Sequence, residues 1–146
     1  MRMQAGQTET IPQLLVVLVT CPTVAVARRI AERLVRDRVA ACVNLVPSVQ
    51  SLFLWQGALE RSREVLLVIK TTRRRFERLR RCLLLLHPYE LPEIIALPVV
   101  AGHPPYERWV HEVTRAAVPD AASFGKEKTK QETKRFLKKK EVAAAS

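Results

Sequence analysis

The strongest constraint on this chain is a β-forming run too long for one ordinary strand. From Val39 to Gln56 only Pro47 interrupts it. Strands usually have about five or six residues, whereas the stretch 40–56 would reach ~55 Å at ~3.3 Å per residue. A domain of this size is only about 40 Å across. The segment must therefore bend, or leave its own sheet and pair with another copy of the chain. Pro47 has no N–H to give to a ladder, so it marks a bulge or an edge. With an unbroken alternation, Val43, Leu45, Val49, Phe53 and Trp55 would share one face. Self-assembly is the first functional expectation.

The flanking segments supply the rest of a small α+β unit. Ile11 to Thr20 is almost continuously apolar, as in a central strand buried on both faces. Thr23 suits a helix N-cap, and Val24, Ala27, Ile30, Ala31, Leu34 and Val35 then recur at helical spacing. Gln56-Gly57 opens a turn that Glu60 to Arg63 completes, and Glu64 to Thr71 forms the next strand of an antiparallel hairpin. A second helix covers Arg73 to Leu86, with Phe76, Leu79, Cys82, Leu83 and Leu86 as its apolar stripe; Pro88 stops it. Leu91 to Val100 is a fourth strand, and Tyr106 to Ala117 a third helix entered through Pro104 and Pro105. The first six elements give the ferredoxin-like βαββαβ order, two helices on one face of an antiparallel sheet, followed by an extra C-terminal helix.

One domain is expected over residues 11–118, preceded by a flexible N-terminus (1–10) and followed by a basic flexible tail (119–146). Nearly half of the 146 residues are hydrophobic, enough for a core. The formal charge is +11. Lys126 to Glu141 holds eight basic and three acidic residues, a net +5, and most of the remainder falls in Arg28–Arg38 and Arg73–Arg81. Such charge favours anionic partners, and any non-specific nucleic-acid affinity is expected from the tail. Three cysteines, Cys21, Cys42 and Cys82, do not make a disulfide framework. The longest wholly apolar stretch, Leu14 to Val19, is too short to span a membrane. A cytoplasmic protein without membrane insertion is expected.

Several short motifs fall at element boundaries. They are Val19-Thr20-Cys21-Pro22, Ala40-Ala41-Cys42-Val43-Asn44-Leu45-Val46-Pro47, Trp55-Gln56-Gly57, Ile69-Lys70-Thr71, His87-Pro88-Tyr89-Glu90, Pro92-Glu93-Ile94 and Pro105-Tyr106 with Trp109-Val110. In this order, over about residues 14–115, they resemble the CutA divalent-cation-tolerance family. The resemblance implies a ferredoxin-like subunit in a compact homotrimer, with long second strands reaching to neighbouring subunits. It also implies a role in metal homeostasis and the response to metal ions, through weak binding of copper or another divalent cation.

His87 and Cys21 are the candidate metal ligands, since imidazole suits copper and zinc and thiolates suit Cu(I) and zinc. Some family members carry further candidate ligands where this chain has Val19 and Leu86, so an incomplete site is expected. The competing role for His87 and Tyr89 is to cap the second helix and hydrogen-bond across a subunit boundary. Trp55, Glu64, Lys70, Tyr89, Glu90, Glu93 and Trp109 are candidate cleft or intersubunit residues. No Gly-rich phosphate loop, Ser-His-Asp set or Cys-His nucleophile stands out, so no enzyme is expected. The alternatives are a PII-like trimeric signalling or partner-binding module, which would use a long loop between the second and third strands, and a non-specific RNA-binding ferredoxin-like domain. Specific RNA readers of this topology carry stacking aromatics on central strands, and Glu64–Thr71 has none.

Overall fold

A computed structural model describes residues 12–115. The expected N-terminal extension and basic tail lie outside the described residues. Seven elements follow in order: β1 (Leu14–Cys21), α1 (Val24–Arg36), β2 (Cys42–Trp55), β3 (Ala58–Thr72), α2 (Arg73–Leu86), β4 (Ile95–Pro98) and α3 (Pro104–Arg115). The sheet order is β2-β3-β1-β4 and every pairing is antiparallel. This is the expected α+β, ferredoxin-like arrangement.

The core lies between the helices and one face of the sheet. Leu15, Val17, Val19 and Cys21 of β1 and Val65, Leu67 and Ile69 of β3 meet Ile30 and Leu34 of α1 and Leu79, Cys82 and Leu83 of α2. Alternation along both strands puts these residues on the same side. Thr23 caps α1 as expected, its Oγ1 accepting from Val26 N–H at 3.2 Å. Leu14, Ala41 and Val110 form a second cluster, which seats α3 beside one end of the sheet.

Four details of the sheet depart from the sequence expectations. β2 starts at Cys42 because Ala40 N–H is drawn to Leu34 O, ending α1, before Ala41 N–H reaches Lys70 O. β3 starts at Ala58, not Glu64. Glu60 to Arg63 belong to the strand, and the turn is only Gln56-Gly57. Both of those residues have positive φ, 49° and 79°, the conformation of a tight turn that matches strand twist. β4 is confined to four residues, because Pro92 and Pro98 allow so little ladder between them.

The fourth departure is one of parity. Val46 pairs Leu66 and Val49 pairs Glu64, so Pro47 and Ser48 stand opposite Val65 alone. Ser48 takes a positive φ of 61° at this bulge. Val43 and Leu45 therefore face the helices, while Val49, Phe53 and Trp55 lie on the other side. Leu52 and Leu54 take their place, opposite Arg61 and Leu59.

Among the described residues, β3 from Glu64 back to Ala58 pairs only with β2. The ribbon 49–55/58–64 is a two-stranded arm of about 23 Å at ~3.3 Å per residue. Leu52, Leu54 and Leu59 are each more than 60% exposed on it. A lone two-stranded ribbon is marginal in water.

Candidate functional site

β1 ends at Cys21 and α2 ends at His87, and the fold brings these two ends together. The His87 backbone N–H donates to Leu83 O, making His87 the C-cap of α2. Its ring is almost wholly buried, 1% exposed. The Tyr89 backbone N–H donates to Nδ1 at 3.1 Å. That bond makes Nδ1 the acceptor, so the neutral ring carries its proton on Nε2 and donates it to Thr20 O at 2.8 Å. The Cys21 thiol lies 3.8 Å from the same Nε2.

The constellation continues outward. The Tyr89 ring is tilted against His87 with centroids 4.7 Å apart. Its hydroxyl donates to Glu64 Oε2 at 2.8 Å. Burial, and then the Glu64 charge, push the Cys21 thiol up to about 12. Burial, with the Glu64 bond and charge behind it, raises the Tyr89 phenol far above its ordinary range. Burial and Glu64 likewise raise the Glu93 carboxyl. Glu64 is thus the common electrostatic neighbour of Cys21, Tyr89 and Glu93. The His87 ring bond to Thr20 O and the Tyr89 hydroxyl bond to Glu64 both run within the protomer.

The pair Cys21–His87 passes a first test for a shared metal. Tetrahedral ligands at ~2.0 Å (N) and ~2.3 Å (S) stand about 3.6 Å apart, close to the observed spacing. The pair is not preformed, however. The Nε2 proton is held by Thr20 O, and the thiol is strongly protonated. Among the described residues no group of three or more His, Cys, Asp and Glu side chains is placed to hold an ion.

Lys70 and Trp109 fall elsewhere. Glu64 and Lys70 are six residues apart on β3, about 20 Å at ~3.3 Å per residue, so in a single protomer the expected cleft residues divide between two ends of the sheet. Lys70 pairs Cys42 across the ladder. Its Nζ donates to Asn44 Oδ1 and lies 3.8 Å from Cys42 Sγ. Burial and then Cys42 raise the Tyr106 phenol, and Tyr106 stacks at an angle on Trp109, 5.6 Å between ring centres. Trp55 sits at the arm tip, 42% exposed, and Glu90 is on the surface.

Thr20, Asn44 and Tyr106 were absent from the expected site residues. Thr20 acts through its backbone carbonyl, for which side-chain motifs give no signal. Asn44 and Cys42 could have been found from their period-two spacing once their register against Lys70 was known.

These features can be set beside known proteins. The family model for the CutA1 divalent ion tolerance protein matches residues 15–113. The chain is 48% identical to the divalent-cation tolerance protein CutA of Thermus thermophilus over 99 residues, 68% of this chain and 96% of that protein. It is also 48% identical to mouse protein CutA over 98 residues, which is 67% of this chain but only 55% of the longer mouse protein. Among solved structures, the Thermus thermophilus protein aligns with a TM-score of 0.68 at 46% identity, over 69% of this chain and 98% of that one. CutA1 from Oryza sativa aligns with a TM-score of 0.71 at 34% identity, over 73% and 98%. The boundaries of the family match enclose both ends of the polar constellation, from β1 to α3. This chain belongs to the CutA1 divalent ion tolerance family.

Proposed function

We propose that the protein is a homotrimeric divalent-cation-tolerance protein that binds copper or another divalent cation weakly at Cys21 and His87, and that it catalyses no reaction. The observation that carries the metal reading is the 3.8 Å approach of Cys21 Sγ to His87 Nε2. Cys21 and His87 would hold the ion, which would draw on a soft thiolate and a borderline imidazole. Two costs keep the affinity low. The thiol must lose a proton that burial and Glu64 hold up to about 12, and Nε2 must give up its bond to Thr20 O. Glu64, Tyr89 and the Tyr89 backbone N–H orient the ring and set the charge beside it.

The trimer reading is supported by the arm. Its backbone edge and its exposed Leu52, Leu54 and Leu59 call for cover from a neighbouring subunit. The two-residue Gln56-Gly57 turn weighs against a PII-like signalling loop. On the helix-free face, β1 and β3 present Val16, Leu18, Leu66 and Val68 in place of aromatics, which weighs against base stacking. All three cysteines are free thiols, in keeping with a reducing cytoplasm.

Copper titration by calorimetry with parallel light scattering tests both halves. A trimer with weak copper binding that depends on Cys21 and His87 is expected. A monomer would remove the assembly reading, and affinity unchanged in both Cys21→Ser and His87→Ala would remove the site.

A further inference from the structure

The positive charge of the described residues is concentrated on one layer. Residues 12–115 include sixteen basic and nine acidic side chains, a net +7. α1 and α2 hold ten of the sixteen against only Glu32 and Glu77, a net +8, so everything else in that span sums to −1. All ten are arginines. The apolar sides of both helices are locked into the same core cluster, so their opposite sides form one continuous outer surface. Arg28, Arg36, Arg73, Arg74 and Arg81 are exposed on it.

The two helices bring their charges together at the seam. Arg33 and Asp37 at the end of α1 and Arg78 and Arg81 of α2 all act on the Cys82 thiol between them. The nearby acids are already engaged: Asp37 with Arg33 at 2.8 Å, and Glu77 with Arg80 at 3.3 Å. α2 also opens on three consecutive arginines, with no acidic residue in its first turn, against the preference of the helix dipole for anions there. Burial, then Arg78 and Arg74, press the Arg75 guanidinium below its ordinary range. The layer carries a like-charge excess that helix stability alone does not reward.

We propose that this α1–α2 arginine face binds the phosphate backbone of duplex nucleic acid without reading its sequence. Guanidinium forks match phosphate oxygens two at a time. Helices of 13 and 14 residues span about 20 Å at ~1.5 Å per residue, roughly six base-pair steps. α1 has no aromatic residue and α2 has only the half-buried Phe76, so bases meet no stacking surface. An anionic bilayer fits less well, because a surface helix enters lipid with a broad apolar face, and here the main apolar stripes of both helices are in the core, leaving Val24, Val35, Leu84 and Leu85 exposed beside the arginines. The arm and the helix-free face of the sheet are separate from this surface, so assembly through them leaves the arginines outward. The contact is thereby placed on the folded domain, where the sequence alone directed it to Lys126–Glu141.

The test is fluorescence anisotropy of a fluorescein-labelled 20-base-pair DNA duplex with the full-length chain, from 50 to 200 mM NaCl. Affinity of the parent should fall steeply with salt. The triple variant Arg28→Gln/Arg74→Gln/Arg81→Gln should bind at least tenfold more weakly at 50 mM NaCl. Its log–log salt slope should be shallower by about 2.7, at ~0.9 for each phosphate that is no longer neutralised. The independent pair Arg36→Gln/Arg73→Gln should flatten the slope by about 1.8 on the same scale, and it serves as the test should the triple variant fail to fold by circular dichroism. Full-length protein with Lys126, Lys128 and Lys130 changed to Gln should keep the arginine-dependent part. The proposal is overturned if the parent does not bind the duplex, or if folded helix variants bind as the parent does. Tighter arginine-dependent binding of phosphatidylserine vesicles than of the duplex also overturns it.

Discussion

The Tyr89 hydroxyl donates to the Glu64 carboxylate across 2.8 Å, linking the segment after α2 to the middle of β3. Glu64 is only 5% exposed, so this bond replaces hydration that the carboxylate lost on folding. Tyr89→Phe should therefore destabilise the protein by about 1–3 kcal/mol, the cost of an unsatisfied buried acceptor. Urea unfolding at pH 7 measures it. Glu64→Gln, which keeps an acceptor for Tyr89, should cost less; equal or larger loss would show that the charge of Glu64 matters more than its bond.

Alkali should weaken the fold through Cys21. An ordinary thiol releases its proton near pH 9.0, and the folded Cys21 near 12. Between these values the unfolded chain holds fewer protons than the native one, so stability falls as pH rises, by at most ~1.4 kcal/mol per unit. Below pH 9 this group contributes no slope. Tyr89 adds to the loss in the same direction once unfolded phenols ionise, since its folded form also keeps the proton longer. In chelator-treated protein, Cys21→Ala should lose less stability between pH 9 and 11 than the parent does. Parallel pH profiles would refute the assignment.

Copper affinity should rise with pH, because thiol and ring must both give up protons to bind. His87→Ala should weaken binding more than any other single substitution. It should also cost stability, by roughly 2–4 kcal/mol, for the lost packing and the two backbone groups left without partners. Chelator alone should leave the unfolding midpoint of the parent unchanged, since the core closes without an ion. Calorimetry and thermal melts read the three effects separately.

The arm turn should respond to backbone preference rather than to packing. A Cβ at Gly57 meets nothing within 4 Å, yet φ there is +79°. Gly57→Ala should cost about 1–2 kcal/mol from left-handed strain alone. Gln56→Asn should be neutral or stabilising, because Asn tolerates the positive φ of 49° better. A tolerated Gly57→Ala in urea unfolding would mean the turn changes conformation.

The helices were legible because their signals are local. The Thr23 cap, the 3.6-residue stripes and Pro88 fixed α1 and α2, and α2 spans the expected Arg73–Leu86. Hairpin geometry was less so. Glu60-Arg61-Ser62-Arg63 is polar enough to read as loop, but cross-strand pairing with Gln50 to Phe53 draws it into β3. The division of Glu64 from Lys70 was already implicit in the expected strand Glu64–Thr71, on which six residues part them. His87 and Cys21 were singled out from chemistry. Their approach to one another depends on β1 and α2 ending at the same place, a tertiary fact, and the Thr20 carbonyl that holds the ring has no side-chain signature at all.

Pro47 and Ser48, standing against the single residue Val65, have a consequence for how this sequence can change. Side chains alternate with a period of two, so one surplus residue changes the sequence parity of everything beyond it, and the bulge takes up that residue without turning the strand over. The arm is read in a different frame from the body of β2. Deleting Ser48 would leave Pro47 alone opposite Val65 and close the bulge, while Val49 to Trp55 keep their partners and Leu52 and Leu54 keep their side. At Pro47–Ser48 a single deletion is therefore absorbed, whereas one residue lost from the regular ladder Val49–Trp55 would turn over what lies between it and the bulge, a reading frame written in backbone geometry rather than in codons.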